Sequence, residues 1–422
     1  VSELLEYRID VSNSTPLLIG WHDPLKIDPK GIRTTEIKGL WRWWARAFVA
    51  GAMYDLGLLK GEHNREDVLA KPSKEDVEAI SCFVGKIMGL GYTGSSDAEG
   101  SRFMLYSVPP QNIQEKKKLL EFRRKGPRDK SREQELLEFL KHQRIKLSSI
   151  ERSVEILEPG GDFRIIVRKR VERYRDAENI ALRILIVSLQ LSGLGKGGRR
   201  GLGSLDIRSR IDVVREESLK GLVENVYRET IEIIRKYADL CIKRSFVEKR
   251  EDLIPPMPLV SKGSYNNLKI FQILSVRNVS FRSLHNFFVR SERCRVLYGN
   301  LKCEDDLRKT LNAWILGLPR EQRSLREQRS TGYSIKSETI VRRASPILLS
   351  YHARGNIFGE GGFISVFISG DWPLSLKWCE GSSGCKDINI DPTRLMDAYS
   401  TAIKELNDYL SKLNANITYI WP

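Results

Sequence analysis

The residues best suited to chemistry stand between positions 193 and 203, in the stretch Gly193-Leu194-Gly195-Lys196-Gly197-Gly198-Arg199-Arg200-Gly201-Leu202-Gly203. Six glycines in eleven residues give a backbone that takes positive φ freely and leaves no Cβ in the way of an approaching chain. Lys196, Arg199 and Arg200, set among them, suit a phosphate backbone as the visitor. A flexible surface turn is the plainer meaning of a glycine cluster. Two familiar phosphate loops do not fit. Gly193-x-Gly195-x-x-Gly198 has the dinucleotide spacing, but that motif follows a strand and opens a helix, and here the order is reversed. A P-loop requires lysine after its second glycine, where this chain has Arg199.

A second constellation lies near the start. Thr34 or Thr35 can cap a helix whose first turn gains from Glu36. Ile37, Trp41, Trp44 and Phe48 recur along it at helical spacing as one apolar stripe, the ordinary signature of a core face. Lys38, Arg42 and Arg46 recur at every fourth position as another. Solvation is the usual fate of such charges, but three in register without a carboxylate on that face also suit a phosphate track. Trp43, on the flank of the basic stripe, is placed to stack on a base.

Metal chemistry finds little support. The five histidines, His22, His63, His142, His285 and His352, are not spaced as i, i+3 or i+4 ligands, so neither a metal nor a cofactor is expected. The six cysteines contain no Cys-x-x-Cys pair and read as reduced thiols of a cytoplasmic protein, although Cys379 and Cys385 are close enough in sequence to meet. With 70 Lys+Arg against 54 Asp+Glu, the net charge of +16 favours a polyanionic partner, nucleic acid before membrane. The longest apolar run, Ala181 to Leu191, contains Arg183 and Gln190 and is too short to span a bilayer. No signal-peptide pattern opens the sequence.

These residues need a scaffold. A strand over residues 1–12, the helix from Thr34, a strand over 101–108, strands over 153–157 and 162–168, a helix over 179–191 and a strand over 204–210 follow in turn. Pro159-Gly160-Gly161 reads as the turn of a hairpin. With insertions set aside, the order is strand, helix, strand, strand, helix, strand, the split βαβ or ferredoxin-like plan. From Lys116 to Lys146, twelve Lys/Arg against five Asp/Glu fit an inserted, solvated helical hairpin. The second half repeats the class: helices over 218–241, 281–296, 305–316 and 393–410, and strands over 268–276, 347–351, 363–369 and 417–420. A duplicated Arg-Glu-Gln-Arg-Ser marks a charged loop over 320–330. The expected fold class is therefore α+β: two ferredoxin-like (βαββαβ) domains with helical insertions, over residues 1–215 and 216–422.

Taken together, the motifs carry a resemblance. Gly-Leu-Gly, five residues, then Gly-Leu-Gly after a helix looks like the glycine-rich loop of the RAMP superfamily of CRISPR systems. Thr35-Glu36-Ile37-Lys38-Gly39-Leu40-Trp41-Arg42-Trp43-Trp44-Ala45-Arg46 resembles the signature of the first-subunit family of the Cmr, or type III-B CRISPR, effector complex. Leu316-Gly317-Leu318-Pro319, with Arg342-Arg343-Ala344-Ser345-Pro346, resembles that family's second half. The spacing departs at the tryptophans, where Trp41 precedes Arg42. The resemblance implies a non-catalytic, RNA-binding subunit that works beside other Cmr subunits on CRISPR RNA and single-stranded target RNA. It places RNA contacts on Lys38, Arg42, Arg46 and either Trp43 or Trp44. It adds the loop residues Gly195, Lys196, Gly197, Gly198, Arg199 and Arg200, with Arg342 and Arg343 downstream. The alternative is a metal-independent RAMP endoribonuclease that processes CRISPR RNA, with His22 as general acid or base.

Overall fold

The computed structural model describes residues 5–20, 22–23, 26–65, 67–94, 98–110, 113–120, 154–242, 254–289, 306–322, 333–340, 342–380 and 384–422. The architecture is mixed α+β. In the first half the principal elements are β1 (Glu6–Asn13), α1 (Thr34–Asp55), β2 (Phe103–Val108), β3 (Asp162–Lys169), α2 (Arg175–Leu191) and β4 (Leu205–Ile207). Their four strands form one antiparallel sheet in the order β4-β1-β3-β2. Period-two patterning drives β3: Phe163, Ile165, Val167 and Lys169 are buried while Asp162, Arg164 and Arg168 face outward.

The second half continues with α3 (Leu219–Lys236), β5 (Phe271–Arg277), α4 (Phe281–Val289), β6 (Ile347–His352), β7 (Gly361–Phe367), α5 (Pro392–Lys412) and β8 (Asn416–Trp421). Its sheet, β6-β7-β5-β8, has the same connectivity read from the other edge, and every pairing is again antiparallel. Both halves thus run strand, helix, strand, strand, helix, strand, with the helices following the first and third strands. Two hairpins, Arg320–Gln322 with Tyr333–Lys336 and Ser375–Glu380 with Cys385–Asn389, join as a third four-stranded sheet.

Helix α1 lies at the centre. Trp41 packs on Phe103 of β2, with ring centroids 5.2 Å apart, and donates its Nε1–H to the Ala181 carbonyl of α2 at 2.6 Å. Trp44 faces the other sheet, against Phe271 of β5 and Phe367 of β7. One continuous core therefore joins the two halves. A buried polar seam also crosses between them. His352 of β6 meets Asp206 of β4 through Nδ1 at 3.2 Å and the Gln190 carbonyl of α2 through Nε2 at 2.8 Å. Ser350 donates to that same carbonyl, and Asn356 donates to the Gln190 side chain.

Four local expectations are corrected. Neither Thr34 nor Thr35 caps α1: Arg33 is the N-cap and no side chain closes the turn. The 153–157 and 162–168 segments do not pair as a hairpin. Val154–Leu157 pairs with Lys117–Leu120, while β3 is drawn into the main sheet between β1 and β2, because its alternating apolar face has more to bury there. The region 305–316 is a short helix, Asp306–Lys309, and a 3-10 turn, Ala313–Leu316, separated by Leu311 at positive φ. Four of the six cysteines are paired, not reduced. Strand register sets Cys379 opposite Cys385, and tertiary packing brings Cys82 to Cys241 across 159 residues. The inserted helical hairpin and the charged 320–330 loop lie largely outside the described residues, as do Cys294 and Cys303.

Candidate nucleic-acid interface

Between α2 and β4 the glycine loop is a folded knot, not a loose turn. Gly193 donates to the Gly198 carbonyl, Leu194 to Gly203, and Arg200 to Gly197. A Cβ at Gly193 would meet the Leu202 carbonyl oxygen at 2.0 Å, and one at Gly203, where φ is +64°, would meet the Leu194 oxygen at 2.0 Å. These glycines are required by the loop's own close approach. The knot is then pinned on three sides. Lys196 N–H donates to Leu18 O at 2.9 Å, Leu349 N–H donates to Arg199 O at 2.9 Å, and Gly195 N–H donates to the Glu36 carboxylate at 2.5 Å.

Opposite the knot, the two motifs of the second half meet each other. Leu318 and Arg343 exchange backbone hydrogen bonds of 2.7 and 3.1 Å, so Gly317-Leu318 and Arg342-Arg343 form one wall. An open cleft of about 850 Å³ separates that wall from the loop and from one face of α1. Gly195, Lys196, Gly197, Gly198, Arg199, Arg200, Arg342, Arg343 and Trp43 all line it. Glu36, Gly39 and Leu40, which share the Trp43 side of α1, complete that face.

The cleft is cationic at its floor. Arg199 lies over the Trp43 ring, its guanidinium carbon 4.9 Å from the centroid, and donates to Ser345 O at 3.1 Å. Burial, and then the charge of Arg343, pull its pKa down to about 10 against a partial offset from Asp371. Burial also lowers Lys196, opposed by Asp23. Arg342 is exposed at the rim. Arg343 is engaged within the protein: it bonds the Asp371 carboxylate at 2.7 Å and Ser369 Oγ at 3.0 Å, and it stacks on Trp372. Its part in the cleft is its field. Glu36, missed as a site residue, is the carboxylate in this lining, and burial raises its pKa despite the Gly195 N–H. Its place in the first turn of α1, on the Trp43 side, was the available signal.

Lys38, Arg42 and Arg46 lie outside the cleft, on the neighbouring face of α1. Burial, then Arg42 and Arg170, lowers Lys38, and burial and Arg46 lower Arg42, so the stripe is a cluster of mutually repelling cations. Arg42 has an internal duty too, donating Nε–H to Leu90 O at 2.8 Å. Trp44 is displaced from the candidate set into the core. It is fully buried and donates Nε1–H to Ser192 Oγ at 2.9 Å, because the second sheet covers the side of α1 it occupies. Trp43 is half-buried at the cleft, and one side of its ring is taken by Arg199. His22 is exposed, and its neighbour in sequence, Asp23, is the residue whose charge acts on Lys196. Among the described residues no cluster of His, Cys, Asp or Glu is arranged to hold a metal, and no helix is long and apolar enough to cross a membrane.

The chain is similar to known proteins at the level of fold. A chain of the type III-B Cmr-beta complex bound to cognate target RNA, seen by cryo-electron microscopy, matches with a TM-score of 0.51 and 14% identity, covering 96% of this chain and 100% of that one. Cmr1 from Pyrococcus furiosus, in its apo form, aligns over 99% of both chains at 14% identity and a TM-score of 0.42. No curated protein sequence matches. The RAMP superfamily model matches residues 14–206, which hold α1, the glycine loop and most of the first sheet. Over residues 14–206 this chain is similar to the RAMP superfamily.

Proposed function

We propose that this protein is a non-catalytic RNA-binding subunit of a type III-B CRISPR (Cmr) effector complex, acting in antiviral defence in the cytoplasm. Its partners in this reading are CRISPR RNA, single-stranded target RNA and the other Cmr subunits. The two four-stranded sheets are read as ferredoxin-like domains, over residues 1–215 and 216–422, with the RNA cleft between the glycine loop of the first and the Arg342-Arg343 wall of the second. The observation that carries the proposal is the half-buried Arg199. Arg199 lines an open cleft and has Arg343 as a like-charged neighbour, and its pKa is lowered by burial and then by Arg343, which Asp371 compensates only in part. A phosphodiester supplies that compensation. Backbone contacts of this kind position an RNA strand, and base pairing between guide and target supplies the choice of sequence.

The nuclease alternative keeps one supporting observation. Asp23, the residue after His22, acts electrostatically on Lys196, which brings the His22 segment within range of a cation of the glycine loop. Titration of the protein into end-labelled single-stranded RNA without metal, run on native and denaturing gels, separates the two. Shifted, intact RNA supports the binding subunit. Shortened RNA that survives at full length with His22→Ala overturns it in favour of the nuclease.

A further inference from the structure

Helix α1 contains two interior glycines with opposite surroundings. A Cβ on Gly51 would meet the Val260 carbonyl oxygen at 1.7 Å, so the fold needs glycine there. A Cβ on Gly39 would meet nothing within 4 Å. Glycine inside a helix is destabilising relative to alanine, and at Gly39 no packing within the described residues requires it. Gly39 is exposed and lines the cleft.

Its neighbours indicate what approaches. At about 100° of rotation per residue, Gly39 falls between Trp43 on the cleft side and Arg46 on the basic stripe. One turn on, Trp43 carries the Arg199 guanidinium over its ring and lines the same cleft as Gly39. The helix surface is thus lowest where two cationic regions, the stripe and the cleft, come nearest on α1. From this we infer that Gly39 is the saddle over which the ribose–phosphate backbone of a single-stranded RNA passes from the Lys38–Arg42–Arg46 stripe into the glycine-loop cleft. The missing side chain lets the strand lie close enough for a phosphate to reach Arg199. This path rests on the RNA-binding reading above and goes beyond it by joining two surfaces into one track.

The test uses the full chain, with thermal unfolding and fluorescence-anisotropy titration of a uridine-rich single-stranded RNA. Gly39→Ala is expected to unfold about 1–2 °C higher than wild type while binding RNA more weakly. Gly39→Leu, which raises the saddle by a full side chain, is expected to lose about tenfold or more in affinity as the phosphate contact is forced away. Wild-type affinity and salt dependence in Gly39→Leu, with binding still sensitive to Arg199→Met, would overturn the track and leave the cleft standing. No binding by the wild-type chain would instead overturn the parent reading, and the track with it.

Discussion

Replacing Arg199 with methionine separates a binding cation from a structural one. The fall in pKa from the ordinary guanidinium value to about 10 corresponds to roughly 3 kcal/mol against the charged form. Solvent entering the open cleft screens this, leaving about 1–2 kcal/mol. For a cation whose folded pKa is depressed, the penalty is present at all pH values below about 10 and disappears only as the pH climbs to the ordinary guanidinium range. It therefore acts at full strength wherever RNA binding is measured. Methionine keeps an apolar stem over Trp43 and removes the charge, but it forfeits the bond to Ser345 O and the stacking of the guanidinium, together about 1–2 kcal/mol. The opposing effects nearly cancel. Arg199→Met is expected to unfold in urea within about 1 kcal/mol of wild type. Its affinity for single-stranded RNA should fall by about tenfold or more, and its log–log salt slope should shallow by about 0.7, one lost phosphate contact. The paired assays are urea denaturation followed by tryptophan fluorescence and RNA titration at several salt concentrations. A loss of about 3 kcal/mol or more in stability with an unchanged salt slope would refute the reasoning and make Arg199 a strut of the loop.

The stripe on α1 should divide by residue. Arg42→Ala loses the bond to Leu90 O and is expected to lower stability by about 1 kcal/mol in urea, whereas Lys38→Ala and Arg46→Ala stay near wild type and shallow only the salt slope. Gly203→Ala sets a methyl group 2.0 Å from the Leu194 oxygen at positive φ, so a loss of about 3 kcal/mol or failure to accumulate as folded protein is expected by circular dichroism. Glu36→Gln keeps an acceptor for Gly195 N–H and removes a buried charge. Because the folded pKa of Glu36 is raised above 4.5, its contribution favours folding below that pH and is lost as the pH rises through the folded value. At pH 7 the glutamine variant should be at least as stable as wild type by thermal unfolding, and it should bind RNA no more weakly, since an anion has left the cleft. A drop in both would show the carboxylate to be needed.

By itself the sequence determined the elements and their order. Apolar spacing at Ile37, Trp41, Trp44 and Phe48 marked a buried helix face, and alternation in Asp162–Lys169 marked a half-buried strand, because both periods are properties of local backbone geometry. It also singled out the glycine loop, because only residues without Cβ allow backbone approaches as close as those at Gly193 and Gly203. Partnership lay beyond its reach. That Val154–Leu157 would leave β3 for Lys117–Leu120, that Cys82 would meet Cys241, and that Gly317-Leu318 would pair with Arg342-Arg343 depend on contacts between distant segments. The site residues were sorted by the same cause. Trp43 and Trp44 are neighbours on one helix and both meet Phe367 of the second sheet, yet that sheet buries Trp44 fully and leaves Trp43 half-exposed at the cleft. Arg42 and Arg343 read as free cations until Leu90 O and Asp371 are seen beside them. Which cations remain for a partner is decided by what the rest of the chain has already claimed, and only the tertiary structure brings the claimants within reach.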